Sequence, residues 1–202
     1  MTAEAMATEV ASEVEAPVGR LAELLGDDGG WREAAMRIGA GLALSAGFGL
    51  ALGARDGGSG LFVHALGVAA APAGVVVFGV PALYIVLAVF DAPVSALGLA
   101  RSTGRGAAAL GMVLAGLAPL TALYGVSASD PLWGAIAGFL ALVLGGVVGL
   151  GQFHGSLQRQ LEAAAPAARL AMMVSAAVFG LMATIAAARI WLALVPSFGG
   201  GL

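Results

Sequence analysis

The sequence contains no cysteine, no lysine and no asparagine. Without cysteine there is no disulfide, no thiolate metal site and no cysteine nucleophile. Without lysine there is no Gly-rich phosphate loop ending in Gly-Lys-Ser/Thr, and no helical His-Glu-x-x-His pair is present either. All nine basic residues are arginine, a pattern we read as coding bias rather than chemistry. Charge of every kind is scarce: 10% of the 202 residues are charged, against about 25% in a soluble domain. So little charge cannot cover a water-facing surface, so composition excludes a soluble globular domain and indicates an integral membrane protein. The net charge of −3 argues against nucleic acid as a partner, because neutralising phosphates needs a basic surface.

What is present is hydrophobic length. Five apolar runs, at about 34–54, 61–90, 106–126, 132–151 and 167–195, hold most of the chain, and only eleven charged residues follow Glu33. The pattern predicts an all-α polytopic membrane bundle of five transmembrane helices across 34–202. Residues 1–33 carry eight of the twelve acids and form a separate acidic segment. Within it, Pro17 can start a short helix and Gly26 can end it. Val18, Leu21, Leu24 and Leu25 give that helix, near 17–25, one apolar stripe. The segment lacks the basic start and immediate apolar stretch of a secretory signal.

Run two is the odd member. As a straight helix its thirty residues would reach about 45 Å, well beyond the ~30 Å hydrocarbon core. Pro72 and Pro81 each delete a backbone hydrogen bond, so they are the expected helix breaks. The pattern predicts an interfacial piece near 61–71 and a spanning helix near 73–90. Residues 94–104 then read as a loop or surface helix carrying Arg101, and 152–166 as a polar link between runs four and five.

Arginine placement orients the bundle. With five spans, Arg20, Arg32, Arg37, Arg101, Arg105, Arg159 and Arg169 collect on the N-terminal side, and only Arg55 and Arg189 on the other. The positive-inside bias puts the N-terminus in the cytoplasm and the C-terminus outside, as in a bacterial inner membrane.

Few residues are candidates for chemistry. Asp91 ends run two, as a polar or ion site or as a cap for the segment after it. Arg189, near Trp191, reads as a snorkelling residue or a contact for a lipid headgroup or anion. Gly41, Ser45, Gly49 and Gly53 recur every four residues, a small-residue face that lets helices approach closely. That face packs either within the bundle or on another subunit. His64 and His154 fall at opposite ends of the bundle and cannot share a metal or haem. No cofactor and no catalytic group are expected.

The leading expectation is therefore a non-catalytic membrane subunit, a scaffold or anchor partnered by lipid and by other membrane subunits or its own copies. One alternative is a small transporter or channel subunit using the proline-broken helix at 72–90 and Asp91. Another is a lipid-handling or membrane-shaping protein. In layout alone, five runs behind a cytoplasmic extension, the chain resembles the Yip family of Golgi membrane proteins and its bacterial relatives; that resemblance implies the last of these roles.

Overall fold

The computed structural model describes residues 30–55, 57–90, 92, 94–127, 131–160 and 166–194. The segment predicted near 17–25 and Asp91 lie outside them. The described residues are helical apart from short connections, without a strand. Helix α1 is Trp31–Leu52 and α2 is Gly58–Gly74. A single π-helical turn, Val75–Gly79, joins α2 to α3, Val80–Val89. Then follow α4, Ala96–Ser127; α5, Pro131–Gln160; and α6, Pro166–Leu194. Helices suit a chain in lipid because all their backbone hydrogen bonds close within one segment.

Among the described residues, four stretches are long and apolar enough to cross a membrane: Trp31–Leu52, Gly58–Val89, Ala96–Ser127 and Trp133–Gln160. The sequence pattern predicts five. In α6 the apolar stretch Met172–Ile185 is shorter, bracketed by Arg169 and Arg189.

Three other expectations are corrected. Residues 96–104 are helical, but they form neither a loop nor a separate surface helix: they are the first turns of α4, which runs unbroken for 32 residues. Ser95 starts it: its Oγ accepts a hydrogen bond from the Gly98 amide at 3.0 Å, the geometry of an N-cap. Likewise 152–160 is not a link but the end of α5. Polar residues defeat an apolar-run criterion at both places, yet helices continue because neighbouring helices supply partners for those side chains.

The third correction concerns Pro72 and Pro81, which do not break run two. Gly58–Val89 is one continuous helical rod of 32 residues. Pro72 sits inside α2, and Pro81 is the second residue of α3, just past the π turn. A proline ring collides with the carbonyl four residues before it, residue 77 in the case of Pro81. That carbonyl lies inside the π turn, where the Val80 amide donates to the Val75 carbonyl five residues back. The wider turn makes room for the ring without leaving helical geometry. The interfacial piece expected at 61–71 is accordingly part of the same rod.

Helix α4 is the centre of the bundle. Along one side it runs parallel to α1: a Cβ on Gly104 would meet Ala34 and Arg37, and one on Gly111 would lie 2.7 Å from the Gly41 carbonyl oxygen. Along another side it runs antiparallel to α5, where Gly106 and Gly149 face each other; a Cβ on either would lie 2.9 Å from the other's carbonyl oxygen. At the far edge α1 packs on α2, and a Cβ on Gly49 would lie 2.6 Å from Ala65 Cα. Glycine is required at these crossings because the neighbour is backbone, which cannot rotate aside. Gly57 and Gly58 have a different role: at φ 63° and 50° they take the left-handed turn that reverses the chain into α2.

Two apolar clusters form the core. One, at the end holding the start of α4, gathers Leu83, Leu87, Leu99, Phe153, Leu157 and Met172. The other gathers Phe48, Leu52, Val68, Leu114 and Ala141. Large apolar side chains also cover the outside, among them Phe62, Phe78, Ile85, Leu123, Val147 and Met182. A soluble monomer does not expose apolar area on this scale, so the outer surface is built to face lipid.

Candidate functional site

Between the two clusters lies a cavity of about 260 Å³. Four parts of the bundle make its walls. The rod contributes Pro72 and the π-turn valines Val75 and Val76; α4 contributes Gly106, Ala107 and Leu110; α5 contributes Val143, Gly146 and Phe153; α6 contributes Phe179 and Ala183. The side chains are small where α4 crosses α5 and short along the π turn, so space remains beyond the crossing.

Two hydroxyls reach the lining, Thr103 and Thr184. Each donates to a carbonyl one turn back in its own helix, Thr103 Oγ1 to Leu99 at 2.9 Å and Thr184 Oγ1 to Gly180 at 2.8 Å. The surface offered to an occupant is therefore almost wholly hydrocarbon. Water is a poor tenant, because it needs two to four polar partners.

The polar groups are elsewhere, in a seam between the start of α4 and the end of α5. Ser102 Oγ donates to Ser156 Oγ at 3.0 Å, and Arg105 donates to the same oxygen at 3.2 Å. Gln160 Nε2 reaches Ser102 Oγ at 2.9 Å and the Gly98 carbonyl at 3.0 Å. Ser102, Arg105 and Ser156 are all buried. At the same end of the bundle Arg37, 2% exposed, pairs with Glu33 one turn earlier in α1. These bonds fasten α4 to α5 and secure the first turns of α1. The chemistry available is that of a brace: hydroxyl, amide and guanidinium groups bond one another across the two helices.

The sequence candidates fall unevenly on this map. Gly41, Ser45, Gly49 and Gly53 form a face occupied by α4 and α2 of the same chain; Ser45 is fully buried, with its hydroxyl on the Gly41 carbonyl at 2.8 Å. The alternative that this face meets another subunit is corrected, because the chain's own backbones fill it. Pro72 lines the cavity. Arg189 is exposed on α6, next to the lining residue Ala188. Asp91 lies outside the described residues. His64 is fully buried with Nδ1 2.8 Å from the Gly60 carbonyl, and His154 has Nδ1 3.0 Å from the Leu150 carbonyl. No group of three metal-ligating residues occurs among the described residues.

Ser102, Arg105, Ser156 and Gln160 are absent from the sequence candidates. A signal was there: Ser102 with Arg105, and Ser156 with Gln160, are three and four apart, one face of a helix. It was hidden because those segments read as a loop or separate surface helix and as a polar link. Comparison with protein-family models, with curated proteins and with solved structures finds no significant match in any of the three.

Proposed function

We propose that the chain is a non-catalytic integral membrane subunit, a scaffold or anchor within a larger membrane assembly. The observation that carries this reading is the use made of polar groups. In a membrane, ionisable and polar residues facing a pathway mark transport or chemistry. Here Gln160 and the buried Ser102, Arg105 and Ser156 bind one another across two helices, and among the described residues no charged one lines the 260 Å³ cavity. The bundle holds shape and offers broad apolar faces.

The proposed topology has five spans, counting α6, with the N-terminus cytoplasmic and the C-terminus external, in a bacterial inner membrane. Its support is the gathering of Arg37, Arg101, Arg105 and Arg159 at one end of the bundle, where α1 and α4 start and α5 ends. The partners are further membrane subunits or copies of the chain, with Arg189 placed to meet an anionic headgroup.

Purification in mild detergent followed by mass determination tests the reading. A defined complex containing other membrane polypeptides or several copies supports it; a clean monomer with nothing attached overturns it. Flux through reconstituted vesicles that is lost in Asp91→Asn would also overturn it, in favour of the transporter alternative.

A further inference from the structure

We infer that the cavity between the π turn, α4, α5 and α6 is a binding site for one hydrocarbon chain of a bilayer lipid, entering sideways between α5 and α6. The inference is independent of the subunit reading and assigns a ligand to a site that reading leaves unused.

The position of the mouth points first to this occupant. Most lining residues are buried or half-buried, but Phe139, Val143 and Val147 on α5 and Thr184 on α6 are exposed. The three α5 residues are four apart and form one edge of a slot, with Thr184 on the other side. The slot lies well inside both helices: Val143 is near the middle of Pro131–Gln160, and Thr184 is more than a turn from either end of Pro166–Leu194. At that depth the surrounding solvent is acyl chain, not headgroup or water.

The chemistry of the lining agrees. The walls are aliphatic and aromatic, and both hydroxyls are satisfied within their own helices. An occupant carrying a hydrogen-bonding group would lose its partners on entry, whereas a chain of methylenes loses nothing. Size agrees as well. An apolar cavity of about 150 Å³ stays dry and takes benzene, and this one has about 260 Å³, room for a longer, narrower guest.

One lining position permits a clean test. Gly146 borders the cavity, and a Cβ built there meets nothing within 4 Å. Gly146→Leu should therefore project into the void without disturbing the α4–α5 crossing at Gly106 and Gly149. The protein is reconstituted in phosphatidylcholine vesicles containing phosphatidylcholine with a photoactivatable diazirine midway along one chain. After irradiation, adducts are mapped by mass spectrometry. In the wild type we expect labelling at Val143, Gly146 and Ala183 above that at Ile85, which is exposed on α3. In Gly146→Leu the excess should vanish while Ile85 labelling persists, and the thermal midpoint should stay level or rise. Ala183→Leu, from the opposite wall, repeats the test should Gly146→Leu fail to fold. Wild-type labelling of the lining no stronger than at Ile85, or undiminished labelling in folded variants of both walls, overturns the inference.

Discussion

The close crossing of α4 on α1 makes a quantitative prediction. Gly111 and Gly116 lie in the same helix, yet a Cβ on Gly111 would sit 2.7 Å from the Gly41 carbonyl oxygen and one on Gly116 meets nothing within 4 Å. Ordinary contact begins at 3.4 Å, so Gly111→Ala forces the backbones apart by about 0.7 Å (3.4 less 2.7). A gap of 0.5–1 Å forfeits roughly a quarter to a half of each atom–atom attraction worth about 0.1–0.2 kcal/mol, and these losses add along the whole crossing. Overpacked sites cost about 1–3 kcal/mol, and we adopt that range. Alanine's helix-propensity advantage over glycine, about 1 kcal/mol, applies to both variants and cancels in their difference. At about 2–4 °C per kcal/mol for a chain of this size, Gly111→Ala should melt roughly 2–12 °C below Gly116→Ala. Tryptophan fluorescence during heating in mild detergent reads it. Gly41→Ala combined with Gly111→Ala should cost less than the sum of the two, because one separation relieves both. Midpoints for Gly111→Ala and Gly116→Ala that agree to within about 1–2 °C, the equivalent of about 0.5 kcal/mol, refute the crossing.

Other parts of the fold can be checked as directly. Ser156→Ala removes an oxygen that answers both Ser102 and Arg105; with a charged donor involved, the loss should be about 1.5–3 kcal/mol in the same melting assay. Deleting Val77 from the π turn should leave a folded, monodisperse protein, because that turn holds one residue more than an α turn. Deleting Leu66 in α2 should not, since every later residue then rotates by about 100°; gel filtration separates the two outcomes. The absence of cysteine makes topology testable: Ser59→Cys should react with an impermeant maleimide on intact cells, and Gln158→Cys only after lysis. Labelling of both from outside would refute the proposed orientation.

Helix positions and the small-residue stripe of α1 were legible in the sequence because both rest on local spacing. Apolar runs mark segments that lipid can surround, and glycines every four residues mark where a backbone can approach. The ends of α4 and α5 were not legible, for one shared physical reason. Arg101, Arg105, Gln152 and Gln160 are costly in lipid when considered alone, so an apolar-run criterion stops before them. In the fold Arg105 and Gln160 are not alone: Ser156 and Ser102 stand across the seam, and a partner 51 residues away cannot be seen in a local window. The π turn was hidden similarly. Proline announces a lost hydrogen bond, but only the continued helix on both sides shows that the chain widened instead of breaking.

The cavity could not be read from any run, and its origin follows from the same glycines. Where Gly106 meets Gly149 the axes of α4 and α5 are as close as backbones allow. Helices that touch so tightly at one level diverge away from it, and large side chains would be needed to fill the wedge that opens. The sequence places Ala107, Val143 and Gly146 there, with the valines of the widened π turn opposite and α6 beyond. A leucine at Gly146, where a Cβ meets no neighbour, would occupy part of the wedge. The sequence instead keeps close contact at the crossing and emptiness beside it. In water such a void would be a defect. In a bilayer its mouth opens onto the one solvent that can fill it, so lost packing can be recovered from lipid, and Gly146→Leu should stabilise the purified protein most when lipid has been stripped away.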